Sequence, residues 1–257
     1  MKGRGVLLLV FLAAGCRRVP APGRVTAFVP AVIQQTIPGR TPWQTHIRVT
    51  NPGPAAIEVS LHRSPPTARE DPEVLHVPPG YSMTVDTQVP GLPAVSTFLA
   101  EGRAAFSLSA VIRARGNVAP PLEVPVLSLP DLARPGDRLE LGPFVSDESH
   151  RSHFCFSLLG TDQHLAPFEV ALDFISPEGH RLGSALQILG GFPTLIEDPW
   201  QRYAIPSGAT FRLEALFRGR AGLFMPNGGH LWIYGLTTDK TTNTSHFLPV
   251  KVVRTRR

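Results

Sequence analysis

The chain reads as an all-β protein in which two tandem antiparallel β-sandwich domains of the Ig-like kind follow a short leader. Three observations carry that expectation. Apolar and polar residues alternate in short runs, the period at which side chains point to opposite faces of a strand. Prolines and glycines, 27 and 23 of them in 257 residues, fall between those runs and punctuate them as turns. The order of the runs then recurs about 110 residues further along, close to the size of one sandwich domain.

In the first half, Val25 to Val32 is the first candidate strand, and Thr45 to Thr50 alternates up to the turn Asn51-Pro52-Gly53. Ile57, Val59 and Leu61 then face a core while Glu58, Ser60 and His62 face water. Val74 to Val77 and Ser82 to Val85 flank Pro78-Pro79-Gly80, a hairpin-type connection, and Phe106 to Ile112 closes the half. The second half follows suit. Leu139 to Val145 parallels the first strand, Phe154 to Leu159 the second and Phe168 to Phe174 the third. Phe211 to Leu216 alternates again, and Leu231 to Leu236 is a last apolar strand. Pro130 to Gly136 joins the halves.

Ahead of all this, Met1-Lys2-Gly3-Arg4 precedes the apolar run Val6 to Ala14, which ends in Gly15-Cys16. A positive start, a short apolar run and small residues before a cleavage point mark an export signal. The run is shorter than the roughly 20 apolar residues a membrane-spanning helix needs. Leu12-Ala13-Ala14-Gly15-Cys16 resembles a bacterial lipobox, with Ala13 where Leu is usual. The resemblance implies cleavage before Cys16 and acyl chains on that cysteine, so the membrane is the first partner. Arg17 and Arg18 follow where Asp is absent, which implies delivery to the outer membrane or cell surface. The boundaries expected are a signal peptide over 1–15, a lipidated tether over 16–24, and sandwich domains over 25–129 and 130–257, the second ending in a short basic tail.

Composition restricts the remaining chemistry. With 42% hydrophobic and 18% charged residues the chain has enough apolar material for packed cores. Lipidation consumes one of the two cysteines, so no disulfide framework is available, and Cys155, inside an apolar strand, reads as a buried inert thiol. Removing Lys2 and Arg4 with the leader takes the formal charge from +5 to about +3. The tight basic cluster is Lys251, Arg254, Arg256 and Arg257, read as a solvated tail. No basic face interleaved with aromatics appears, which argues against nucleic acid as a partner.

A search for a catalytic or metal motif gives little. His150 and His153 lie three apart, which on a strand puts them on opposite faces and argues against one shared ion; no cofactor or metal is expected. There is no Gly-x-Ser-x-Gly elbow and no His-Glu-x-x-His helix. Glu70-Asp71-Pro72-Glu73 and Glu197-Asp198-Pro199 read as solvated turns, and the chain is not expected to be an enzyme. Trp43, Trp200 and Tyr203, near strand ends or in loops, are the candidate contact residues, since flat rings there stack on sugars or anchor a protein.

Phe28 to Ala31, Trp43 to Gly53 and Val77 to Gly80 in the first half carry a resemblance, as do Phe168 to Gly179, Thr237 to Asn243 and Phe247 to Val250 in the second. These blocks resemble a duplicated β-sandwich module of extracellular proteins from environmental bacteria, over nearly all of the chain after the leader. The resemblance implies the fold and supplies no catalytic residues. The leading expectation is a noncatalytic, lipid-anchored interaction or structural module whose partner is an envelope protein or polysaccharide. The alternatives are a carbohydrate-binding lipoprotein using Trp43 or Trp200, and an enzyme with a nonlocal site.

Overall fold

The computed structural model describes residues 25–35, 43–64, 72–85, 87, 95–114, 119–159, 167–190, 193–220 and 229–255. The leader, the tether and Cys16 lie outside the described residues. What is described is all-β: antiparallel sheets, none closed, with almost no helix.

The first strands are β1 (Val25–Gln35), β2 (Trp43–Thr50), β3 (Ile57–Ser64), β4 (Glu73–Val77), β5 (Ser82–Val85), β6 (Val95–Gly102), β7 (Ser107–Ala114) and β8 (Leu122–Val124). They pair in the orders β4-β3-β6-β1 and β5-β2-β7-β8. β1 links the two sheets. Its residues Val25 to Ile33 run beside β6, the register slips between Val29 and Val32, and Gln34 and Gln35 continue beside Gln44 and Trp43 of β2. Pro30 sits at the slip because it has no N–H to give to a ladder.

After a 3₁₀ turn at Leu129–Asp131 come β9 (Arg138–Phe144), β10 (His150–Leu159), β11 (Phe168–Ile175), β12 (Arg181–Leu189) and β13 (Thr194–Ile196). A short helix α1 (Pro199–Arg202) precedes β14 (Phe211–Arg220), β15 (His230–Asp239), β16 (Ser245–Phe247) and β17 (Val250–Val253). These strands pair as β13-β10-β15-β16 and β12-β11-β14-β9-β17. The pairing order of β1 to β8 therefore recurs, with β9 beside β14 as β1 is beside β6, and β10 between β13 and β15 as β2 is between β5 and β7. The closing segments correspond as well. Leu127, just past β8, exchanges both backbone hydrogen bonds with Phe28 of β1 at 2.7 and 2.9 Å, and β17, just past β16, pairs with β9.

Alternation produces one-sided burial where one face is wet. Ile47 and Val49 are buried in β2 with Arg48 exposed between them. β10 and β15 differ, because Phe154 to Leu158 and Leu231 to Thr238 are buried on both faces, the pattern of strands covered from two sides. On one side an aromatic core forms, with Phe144 stacked on Phe211 at 5.0 Å and edge-on to Phe154 at 5.5 Å. Gly235 makes room for that ring, since a Cβ there would lie 2.9 Å from Phe144 Cζ. On the other side Ser157 Oγ donates to Pro30 O at 2.8 Å.

Two sequence readings gain detail. Asn51, at the start of the expected turn, is fully buried; its amide donates to Ala55 O at 2.7 Å and Val77 O at 3.0 Å, and its oxygen accepts from the Gly53 amide. The basic tail is also not simply solvated. Lys251 lies 3.6 Å from Glu140, and Arg254 donates to buried Asp137 at 2.5 Å and to Leu132 O at 2.8 Å, tying the end of the chain to the connector. Arg256 and Arg257 lie outside the described residues.

Candidate functional site

The register of β17, β9, β14, β11 and β12 sorts their outward side chains into rows across the sheet. One row runs Val253, Arg138, Leu216, Ala171, Leu186. The next runs Lys251, Glu140, Glu214, Asp173, Ser184. Beyond it Arg212, Ile175 and Arg181 stand abreast. Arg218 precedes Gly219 at a bulge in β14, where the register shifts against β11. A shallow hollow of about 500 Å³ lies among Arg138, Asp173, Arg181, Ser184, Leu186, Glu214, Leu216 and Arg218.

Three carboxylates abreast on neighbouring strands repel one another. Cations from the flanking rows offset the repulsion. Glu214 accepts from Arg138 at 3.0 Å and Arg212 at 2.6 Å, and Arg181 lies 3.4 Å from Asp173. Ser184 Oγ donates to Asp173 at 2.7 Å. The acids are recessed, 18 to 38% exposed, while the paired cations stand 51 to 73% exposed above them. Arg218 is exposed and has no carboxylate partner among the described residues. The surface offered to a ligand is thus cationic, with guanidiniums held in place from below.

A second hollow, about 460 Å³, lies between Glu123, Val124 and Leu127 on one side and Trp232, Tyr234, Phe247, Leu248 and Val250 on the other. It is mainly apolar, and the buried Trp232 indole N–H has no acceptor among the described residues.

The residues singled out from the sequence fall elsewhere. Trp43 begins β2, opposite Ala114 of β7, and packs half-buried against the core. Trp200 lies in α1, which forms because Pro199 is pre-set for a first helical position and Asp198 caps the Gln201 amide at 3.0 Å. Its ring is 7% exposed, packs edge-on to Phe211 at 5.1 Å, and donates through Nε1 to Ala209 O at 2.7 Å. Tyr203 lies against Phe174 at 4.9 Å and donates to Gln187 at 2.9 Å; burial pushes its hydroxyl up to about 12. Trp200 and Tyr203 therefore pack at the end of an aromatic core, Trp200 buried and Tyr203 half-buried.

His150, His153 and the Cys155 thiol each have a local setting in β10. His150 Nδ1 lies 3.1 Å from Asp147 Oδ1 at the start of β10. His153 is inside β10, not in a loop, and burial, then the Arg151 charge, brings it down to about 4. Burial drives the Cys155 thiol up to about 12, far from the thiolate a nucleophile needs. Among the described residues no group of three or more His, Cys, Asp or Glu is placed to hold a metal ion. Sequence reading passed over the cationic face because β12 was not recognised as a strand, and without it the arginines look scattered.

Protein-family models, curated proteins and solved structures, compared with the chain, give no match. The class is defined by architecture and surface: an all-β protein of antiparallel sheets, one of which turns an arginine-topped face to solvent.

Proposed function

We propose that the chain is a noncatalytic, lipid-anchored protein of the bacterial cell envelope that serves as an interaction module. It is built as two tandem Ig-like β-sandwich domains, 25–129 and 130–257. The recurring strand order supports the tandem architecture, and the leader ending at Cys16 supports anchoring at the outer membrane or cell surface. The observation that carries the binding role is the sheet face of β9, β14, β11 and β12. Its exposed cations sit over recessed carboxylates, and Leu186 and Ile188 of the edge strand β12 remain 52 and 48% exposed beside them. Exposed apolar residues beside oriented polar groups mark contact surfaces. Acyl chains on Cys16 supply the membrane attachment.

The test is crosslinking of intact cells making the tagged protein, beside a Cys16→Ser control. Loss of the protein from the membrane fraction in that control, with an envelope component captured only by the anchored form, is the expected result. Membrane retention of Cys16→Ser would refute lipid anchoring.

A further inference from the structure

Building on that reading, we propose that the cationic face of β9, β14, β11 and β12 binds an acidic polysaccharide, whose carboxylates are held by Arg138, Arg181, Arg212 and Arg218. Charge complementarity points to an anion. The outermost layer of the face is cationic; Glu214 and Asp173 already accept hydrogen bonds from side chains of their own sheet, and Lys251 lies 3.6 Å from Glu140. Orientation adds to charge. Glu214 holds two guanidiniums at 2.6 and 3.0 Å, so little conformational freedom remains to be lost when a ligand arrives.

The rest of the face selects a sugar polymer over a strongly acidic protein. Leu216, Ala171 and Leu186 form an apolar row between the guanidinium positions, suited to the C–H face of a pyranose ring. Ser184 and the acid oxygens beside it offer hydrogen-bonding partners for hydroxyls, which a run of acidic side chains would instead meet as like charge. Arg212 and Arg181 stand abreast with Ile175 between them, two strand spacings or about 10 Å apart, so carboxylates two sugar units apart reach both. The hollow is open to solvent, as a polymer requires.

The experiment uses the full lipidated chain in a nonionic detergent, run through gels containing polygalacturonate, neutral dextran or polyglutamate. Retardation by polygalacturonate alone, weakening with added salt, is expected. Arg218→Gln should weaken it about fivefold with an unchanged unfolding midpoint, because no carboxylate among the described residues pairs with that side chain. Arg212→Gln should weaken it further. No retardation, equal retardation by dextran or polyglutamate, or an Arg218→Gln variant that binds undiminished would each overturn the assignment. If polygalacturonate fails while crosslinking in cells still captures an envelope component, the polysaccharide proposal falls and the interaction-module reading stands.

Discussion

Arg254 is the side chain whose removal tests most of the architecture at once. It donates to Asp137 Oδ2 at 2.5 Å and Leu132 O at 2.8 Å, and reaches Pro130 O. Asp137 is only 6% exposed. Burial alone pushes its carboxyl upward; the Arg134 amide, the Arg254 guanidinium and the Thr255 amide together reverse that and hold it below its ordinary value. Arg254→Ala leaves a buried carboxylate with backbone donors only. Breaking a fully buried pair on one side costs about 3–5 kcal/mol. Because the Arg254 side chain is 42% exposed, water recovers part of the loss, and about 2 kcal/mol is expected. Asp137→Asn should cost about 1 kcal/mol, since its oxygen still accepts from the Arg134 amide. The double variant should fall short of the sum by about 1 kcal/mol. Urea unfolding at pH 7, followed by fluorescence and circular dichroism, gives these values if the two transitions coincide. The folded pKa of Asp137 is depressed, so its stabilisation is present above the unfolded value of about 3.9 and is lost as the pH falls through the folded value. Asp137→Asn should flatten that acid limb. Additive single variants, with coupling below about 0.3 kcal/mol, would show that the tail arginine is solvated and the latch does not exist.

Two further outcomes follow from burial. With His153 brought down to about 4, the unfolded chain binds a proton before the folded chain does, so stability should fall on acidification between about pH 6.5 and 4, by at most about 3 kcal/mol. His153→Gln should remove that part of the slope; identical slopes would show the ring is solvated. Trp200→Phe forfeits the 2.7 Å bond to Ala209 O and should cost about 1–2 kcal/mol of unfolding free energy while leaving partner capture intact. Lost capture at an unchanged midpoint would instead restore Trp200 as a contact residue.

The strands with strict alternation were legible from sequence. Ile57 to His62 lies within β3, Ser82 to Val85 coincides with β5, and Phe168 to Phe174 falls one residue short of β11. Each has one wet and one buried face, so its pattern reports the fold directly. β6 and β12 were not legible, for different reasons. In β6, Val95-Ser96-Thr97-Phe98 is buried at Ser96, Thr97 and Phe98 alike, which erases the period. In β12, an edge strand, Leu182, Ala185 and Leu186 mimic a helical spacing while Leu186 and Ile188 stay exposed. Trp200 and Tyr203 lie in a chain segment that looks like a loop, yet that segment folds back over Phe211 and Phe174.

The two faces that occupy equivalent places in the strand order carry different chemistry, and the difference bears on function. On β3, β4, β6 and β1 the outward rows hold Glu58 beside His76, and Val74, Ser60, Glu101 and Thr26 abreast. The acids there meet histidines, Glu58 with His76 and Glu101 with His62, each at 3.3 Å. On β12, β11, β14 and β9 the equivalent face carries arginines. A requirement of the fold would act on both faces, since both present outward positions of antiparallel strands joined in the same order. The acid row of Glu140, Glu214 and Asp173 with its arginine cover is therefore not needed to hold such a sheet together. Three abreast carboxylates work against stability, and the arginines that offset them stand more exposed than the acids they cover. An arrangement that the architecture does not require, and that presents its charge outward, is best explained by what it meets in solvent.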